Sequence, residues 1–230
     1  MTRITFAALL IFLLSGCGGH GPKVQHGSIE VFYVDGATKE DADRLGAYLT
    51  TQWGAGGAKR SVQIKKAGDG YQLRMVVRKE FQKDDKTLEA LVFDGARVSR
   101  DIFAGAPVEI QACDEHFTTI KTMPPRADVR YGVVERQIEV FYAAEADKED
   151  ALRLARHLAG QAPALTLKLA RRGPVVEVHL VTLPDAHKQP DVMADMRRAR
   201  AELAANVFRG AAVELHLCDD RLNPVHVLRP

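Results

Sequence analysis

The chain has 230 residues, enough for two domains of ordinary size, and its 46% hydrophobic and 27% charged composition suits a folded globular protein rather than a disordered one. A formal charge of +2, one unit of which is Arg3 near the start, supplies no field strong enough to gather nucleic acid or anionic lipid. Aromatic residues are scarce at 7%, with Trp53 the single tryptophan, which argues against a stacking platform for bases or sugars.

Met1-Thr2-Arg3 is a short basic start. The apolar run from Ile4 to Leu14 that follows has the length of a signal-peptide core and is too short to cross a bilayer as a helix. It ends in Leu14-Ser15-Gly16-Cys17, which resembles the lipobox of bacterial lipoproteins. That resemblance implies removal of residues 1–16 as a signal peptide and lipidation of Cys17. It also implies a membrane anchor of several acyl chains. With Gly18 rather than aspartate after the cysteine, it further implies the outer membrane of a bacterial envelope, facing the periplasm. The alternative is an ordinary secretory signal cut near Gly18 or Gly19. Residues 17–28 read as a flexible tether, since four glycines and one proline fall between Gly18 and Ser28. At full extension that segment reaches about 40 Å, and His20 and His26 within it are expected to be solvated.

The rest of the chain is a duplication. Ile29-Glu30-Val31-Phe32-Tyr33 returns 109 residues later as Ile138-Glu139-Val140-Phe141-Tyr142. Ile102 to Asp114, with Val108-Glu109-Ile110 and Cys113, returns 105 residues later as Val207 to Asp219, with Val213-Glu214-Leu215 and Cys218. A repeat of this length is a domain rather than a solenoid unit, so the chain divides into residues 29–123, a linker 124–137, and residues 138–230.

Each copy carries the same run of periodicities. A strand (Ile29 to Val34, or Ile138 to Tyr142) precedes a helix start, with Thr38 or Asp147 as N-cap and Asp41 or Asp150 at N3. The helix buries Ala42, Leu45 and Leu49, or Ala151, Leu154 and Leu158, at spacings of three and four. A hairpin turns through Gly68-Asp69-Gly70, or Arg172-Gly173. A second helix and the Val-Glu-Ile/Leu strand close the unit.

This β-α-β-β-α-β order resembles the ferredoxin-like arrangement. The likeness implies an α+β fold of two tandem ferredoxin-like domains, each an antiparallel sheet with two helices on one face. The Val-Glu-x-x-x-Cys-Asp ending is similar to modules of uncharacterised bacterial proteins and brings no activity with it.

If helices cover one face, strand alternation places Glu30, Phe32, Glu109 and Cys113 of the first copy on the other. The second copy places Glu139, Phe141, Glu177, His179, Glu214, His216 and Cys218 there. These residues form a candidate binding face, a solvated sheet face, or the surface along which the two domains press together. Cys113 and Cys218 are candidates for a disulfide across two edge strands, or for free thiols.

No metal and no cofactor is assigned. In the ferredoxin-like order the strands of His179 and His216 stand about 10 Å apart with the first strand between them. The chain lacks Gly-x-x-x-x-Gly-Lys-Ser/Thr, His-Glu-x-x-His and Gly-x-Ser-x-Gly, and the second copy has no serine. The expectation is a non-enzymatic, lipid-anchored envelope protein whose partner is an envelope protein or a cell-wall polymer and not nucleic acid. A peptidoglycan-binding lipoprotein, and a thiol-dependent redox or metal-binding protein, are the alternatives.

Overall fold

The computed structural model describes residues 20–54, 58–144, 147–162 and 164–230. The leader and Cys17, with the expectations attached to them, lie outside the described residues.

The first repeat runs β1 (Lys23–His26), β2 (Ile29–Val34), α1 (Lys39–Trp53), β3 (Arg60–Ala67), β4 (Gly70–Val76), α2 (Asp85–Asp101), β5 (Val108–Cys113) and β6 (Thr119–Met123). The second runs β7 (Tyr131–Glu135), β8 (Ile138–Tyr142), α3 (Lys148–Leu158), β9 (Leu165–Arg172), β10 (Val175–Val181), α4 (Pro190–Glu202), β11 (Val213–Cys218) and β12 (Pro224–Leu228). Each repeat is an α+β unit built on one six-stranded sheet, and the two stand in tandem.

Local chemistry explains the elements. Thr38 caps α1 through a reciprocal pair of bonds, the Asp41 amide donating to its hydroxyl and its own amide donating to the Asp41 carboxylate. Asp84 caps α2 by accepting from the amides of Lys86 and Thr87. Asp147 does not cap α3; its carboxylate is held instead by Arg171 at 3.0 Å. The helices bury Leu45, Leu49, Leu88 and Val98 on Val31, Ile64, Leu73 and Ile110 in the first repeat. In the second, Leu154 and Leu203 are buried with Val140, Leu167, Val178 and Leu215.

The sheets differ from the expected ferredoxin-like arrangement. Their strands lie in sequence order, β1-β2-β3-β4-β5-β6 and β12-β11-β10-β9-β8-β7. β2 pairs parallel with β3, and β4 with β5; β8 pairs parallel with β9, and β10 with β11. Each sheet is therefore mixed, not antiparallel.

Two short strands also lie inside segments expected to be tether and linker. β1 folds back on β2 through Gly27, and β7 on β8 through Arg136, both with positive φ. They occupy the edge that a ferredoxin-like sheet leaves for its last strand. The last strand of the motif pairs on the far side of the hairpin instead, and β6 or β12 then covers it.

The repeats meet through α2. Its inner face lies on the first sheet, and Phe93 on its outer side meets Phe141 of β8 with ring centroids 5.8 Å apart. Arg97 donates to Glu139 at 2.8 Å and Arg100 donates to the same carboxylate at 3.0 Å. Cys218 and Leu222 join the apolar cluster of the first repeat. The layers thus run sheet, α1 with α2, sheet, α3 with α4.

Candidate functional site on the second sheet

The parallel pairing of β10 with β11 sets Glu177 beside Glu214 and His179 beside His216. Odd-numbered residues of β10 and even-numbered residues of β11 face away from α3 and α4, because Val176, Val178, Val213, Leu215 and Leu217 fill the core on the other side. The two histidines expected to stand two strands apart are direct neighbours. Their rings stack with centroids 4.4 Å apart, and only 5% of His179 and 9% of His216 is exposed.

His216 Nε2 donates to Glu214 Oε2 at 3.3 Å. The Cys218 thiol donates to the His216 carbonyl at 3.4 Å, and Cys113 makes the equivalent bond to the Gln111 carbonyl at 3.5 Å. The Cys218 sulfur also lies 3.7 Å from His179 Nδ1. His179 Nε2 and His216 Nδ1 are both buried without a hydrogen-bond partner. An unmatched buried polar atom of this kind costs about 1–3 kcal/mol.

Burial, followed by the charges of Lys168 and His216, pulls the His179 imidazole down to about 4, so it is neutral near pH 7. Burial lifts the Cys218 thiol to about 11 and keeps its proton on. Burial also works to raise Glu177, but Arg172 together with the charges of His216 and His179 outweighs it and the carboxylate stays below its ordinary range. Arg172 bridges the two acids, donating to Glu177 Oε1 and to Glu214 Oε2 at 2.8 Å each. Glu177 Oε2 is left 3.6 Å from His179 Nε2. Ligand atoms of Glu177, His179 and His216 all fall within 4.8 Å of one another.

The other residues singled out by sequence are dispersed. Glu139 and Phe141 are taken up by α2 and belong to the contact between repeats rather than to an open face. Glu30 is buried and paired with Lys23 and Lys59, and Glu109 accepts from Gln111 at 2.9 Å. Phe32 packs against His20, with centroids 5.5 Å apart. Cys113 and Cys218 are free, buried thiols. The expected meeting of two cysteine-bearing edges does not occur, because β6 and β12 lie outside β5 and β11.

The first sheet has Gln72, Arg74 and Gln111 where the second has Glu177, His179 and His216. Arg74 fills its position with a guanidinium that donates to Gln63 Oε1 at 2.5 Å and to the Phe117 carbonyl. The cluster is thus a property of the second repeat. Glu177 was legible as a face residue; its closeness to both histidines required the strand order.

Fold and site together define a class: a tandem α+β repeat protein with a buried histidine and carboxylate cluster on one sheet. Residues 23–123 match the model of the AF_1994_N family, a family N-terminal domain. The matched stretch begins at the first residue of β1 and ends at the last of β6, so it coincides with the first repeat. No curated protein and no solved structure matches the chain.

Proposed function

We propose that this is a lipid-anchored bacterial envelope protein, held at Cys17 and acting as a non-enzymatic binding or scaffolding module. The observation that carries the reading is the apolar run ending in Leu14-Ser15-Gly16-Cys17. An anchor there places the first repeat close to lipid. His20 is already strapped to the first sheet, its carbonyl accepting from Gln63 Nε2 at 2.8 Å. Three residue steps separate Cys17 from His20, a reach of at most about 10 Å. The outer face of the first sheet then looks toward the membrane.

That face retains Lys65, Gln72, Glu109 and Gln111 half-buried, whereas its counterpart on the second sheet is engaged by α2. A partner reading it is itself membrane-proximal. Expression in a Gram-negative host tests both parts. Wild-type chain is expected in the membrane fraction carrying acyl mass, and Cys17→Ser in the soluble periplasmic fraction. A photo-crosslinker at Gln111 should capture a membrane-proximal component that the same probe at Val134 does not. Membrane release in neither variant would sink the anchor, and equal capture at both positions would sink the recognition face.

A further inference from the structure

We propose that Glu177, His179 and His216 form a binding site for a single divalent transition-metal ion of the zinc class. Three features of the cluster point to it. His179 Nε2 and His216 Nδ1 are buried ring nitrogens without hydrogen-bond partners, on side chains only 6% and 11% exposed. Two imidazoles and one carboxylate oxygen make a ligand set that zinc uses where it keeps an open fourth position. The far nitrogen of each imidazole is also anchored, His216 Nε2 by Glu214 and His179 Nδ1 by Cys218, which is the outer arrangement that aims a metal-binding histidine.

The distances are close to those of a closed site. Zinc bonded at 2.0–2.1 Å in a tetrahedron holds its ligand atoms about 3.4 Å apart. Glu177 Oε2 and His179 Nε2 are 3.6 Å apart already, and each of the three residues brings a ligand atom within 4.8 Å of the other two. Side-chain rotation of about 1–1.5 Å closes the difference.

Neighbouring charges leave room for a cation. Arg172 is engaged by Glu177 Oε1 and Glu214, so Glu177 Oε2 can ligate without breaking that bond. Arg229 also approaches Glu214, and Lys168, the cation next to His179 on the sheet, is paired with Asp128 at 2.9 Å. The first repeat supplies an internal comparison, since Arg74 puts a fixed positive charge where His179 stands in the second.

The test uses the full-length chain, extracted in detergent and stripped with a chelator. Zinc is titrated by calorimetry, and cobalt by visible absorption. The expected result is one ion per chain, a rise in thermal midpoint with zinc, and the intense bands of four-coordinate cobalt. His179→Ala and His216→Ala should each lower zinc affinity about 100-fold or more. Glu214→Gln, which removes only the outer anchor of His216, should lower it about tenfold. His20→Ala combined with His26→Ala should leave it unchanged.

Should the alanine variants fail to fold, X-ray absorption of zinc on the wild-type chain decides the matter, two imidazoles and one carboxylate without sulfur being required. The proposal is overturned by no uptake in the folded wild type at about 100 µM zinc, a concentration far above the Kd of any specific protein zinc site. It is equally overturned by unchanged affinity in folded His179→Ala, or by a sulfur-containing coordination shell.

Discussion

Glu139 is the most constrained single residue between the repeats. Its carboxylate accepts from Arg97 at 2.8 Å and from Arg100 at 3.0 Å, with only 13% of its side chain exposed. Two guanidiniums that converge on one buried acid are stable only while the acid is charged, because removing one partner strands the others. Glu139→Gln should therefore lower unfolding stability by about 3 kcal/mol, read by urea denaturation. A loss below about 0.5 kcal/mol would class the contact with exposed ion pairs that contribute little. Arg100 also runs past Gly132, where a Cβ would lie 2.7 Å from its Nη1, so the path of the guanidinium depends on the missing side chain.

At the scale of the element, β1 shows how a four-residue strand becomes part of a domain. Val24 is buried opposite Val31, and His26 lies against α1 at Gly46, where a built Cβ would come within 2.4 Å of the imidazole. His26 Nε2 also sits 3.2 Å from Asp43, and Thr50 donates to the His26 carbonyl at 3.3 Å. Gly46→Leu should push the strand off α1, costing about 1–2 kcal/mol. The local sign is faster proteolysis after Lys23 and faster amide exchange at Val24, with the β3 and β4 amides unaffected.

The helix stripes of Leu45 and Leu49, the two hairpins and the duplication are all legible in the sequence, because they rest on periodicity and turn chemistry that act locally. The short strands β1 and β7 are not, since four or five residues beside glycine or arginine turns carry no distinctive alternation. Sheet order is invisible for a different reason. A β-α-β-β-α-β string suits both the split and the sequential arrangement, and local periodicity does not choose between them. From that one ambiguity followed the expected separation of His179 from His216.

At the scale of the whole molecule, the segment between the repeats is tied by charge. Arg126 donates to Asp128 at 2.6 Å and to the Arg221 carbonyl at 3.0 Å, and Asp128 receives Lys168 at 2.9 Å. Burial acts to raise the Asp128 carboxyl, but Arg126 and Lys168 outweigh it and hold the group far below the usual carboxylate range. A depressed native value means that the unfolded chain binds the proton first. The stabilisation is then complete above the unfolded value of 3.8 and is lost as pH falls below it. With 42% of the side chain exposed, screening reduces the effect to about 1 kcal/mol. Asp128→Asn should remove that part of the acid sensitivity, so that urea midpoints measured near pH ~6 and pH ~3 lie closer together than in wild type. Equal differences in the two proteins would count against the assignment.

Docking the helix of one repeat on the outer sheet face of the next is a head-to-tail operation, and such an operation has no natural stopping point. Phe141 receives Phe93 of the preceding repeat; the corresponding Phe32 receives His20 instead, whose ring also lies 4.8 Å from Phe117. The same position is thus covered in two ways within one chain, by a helix of the preceding repeat over Phe141 and by a single imidazole over Phe32.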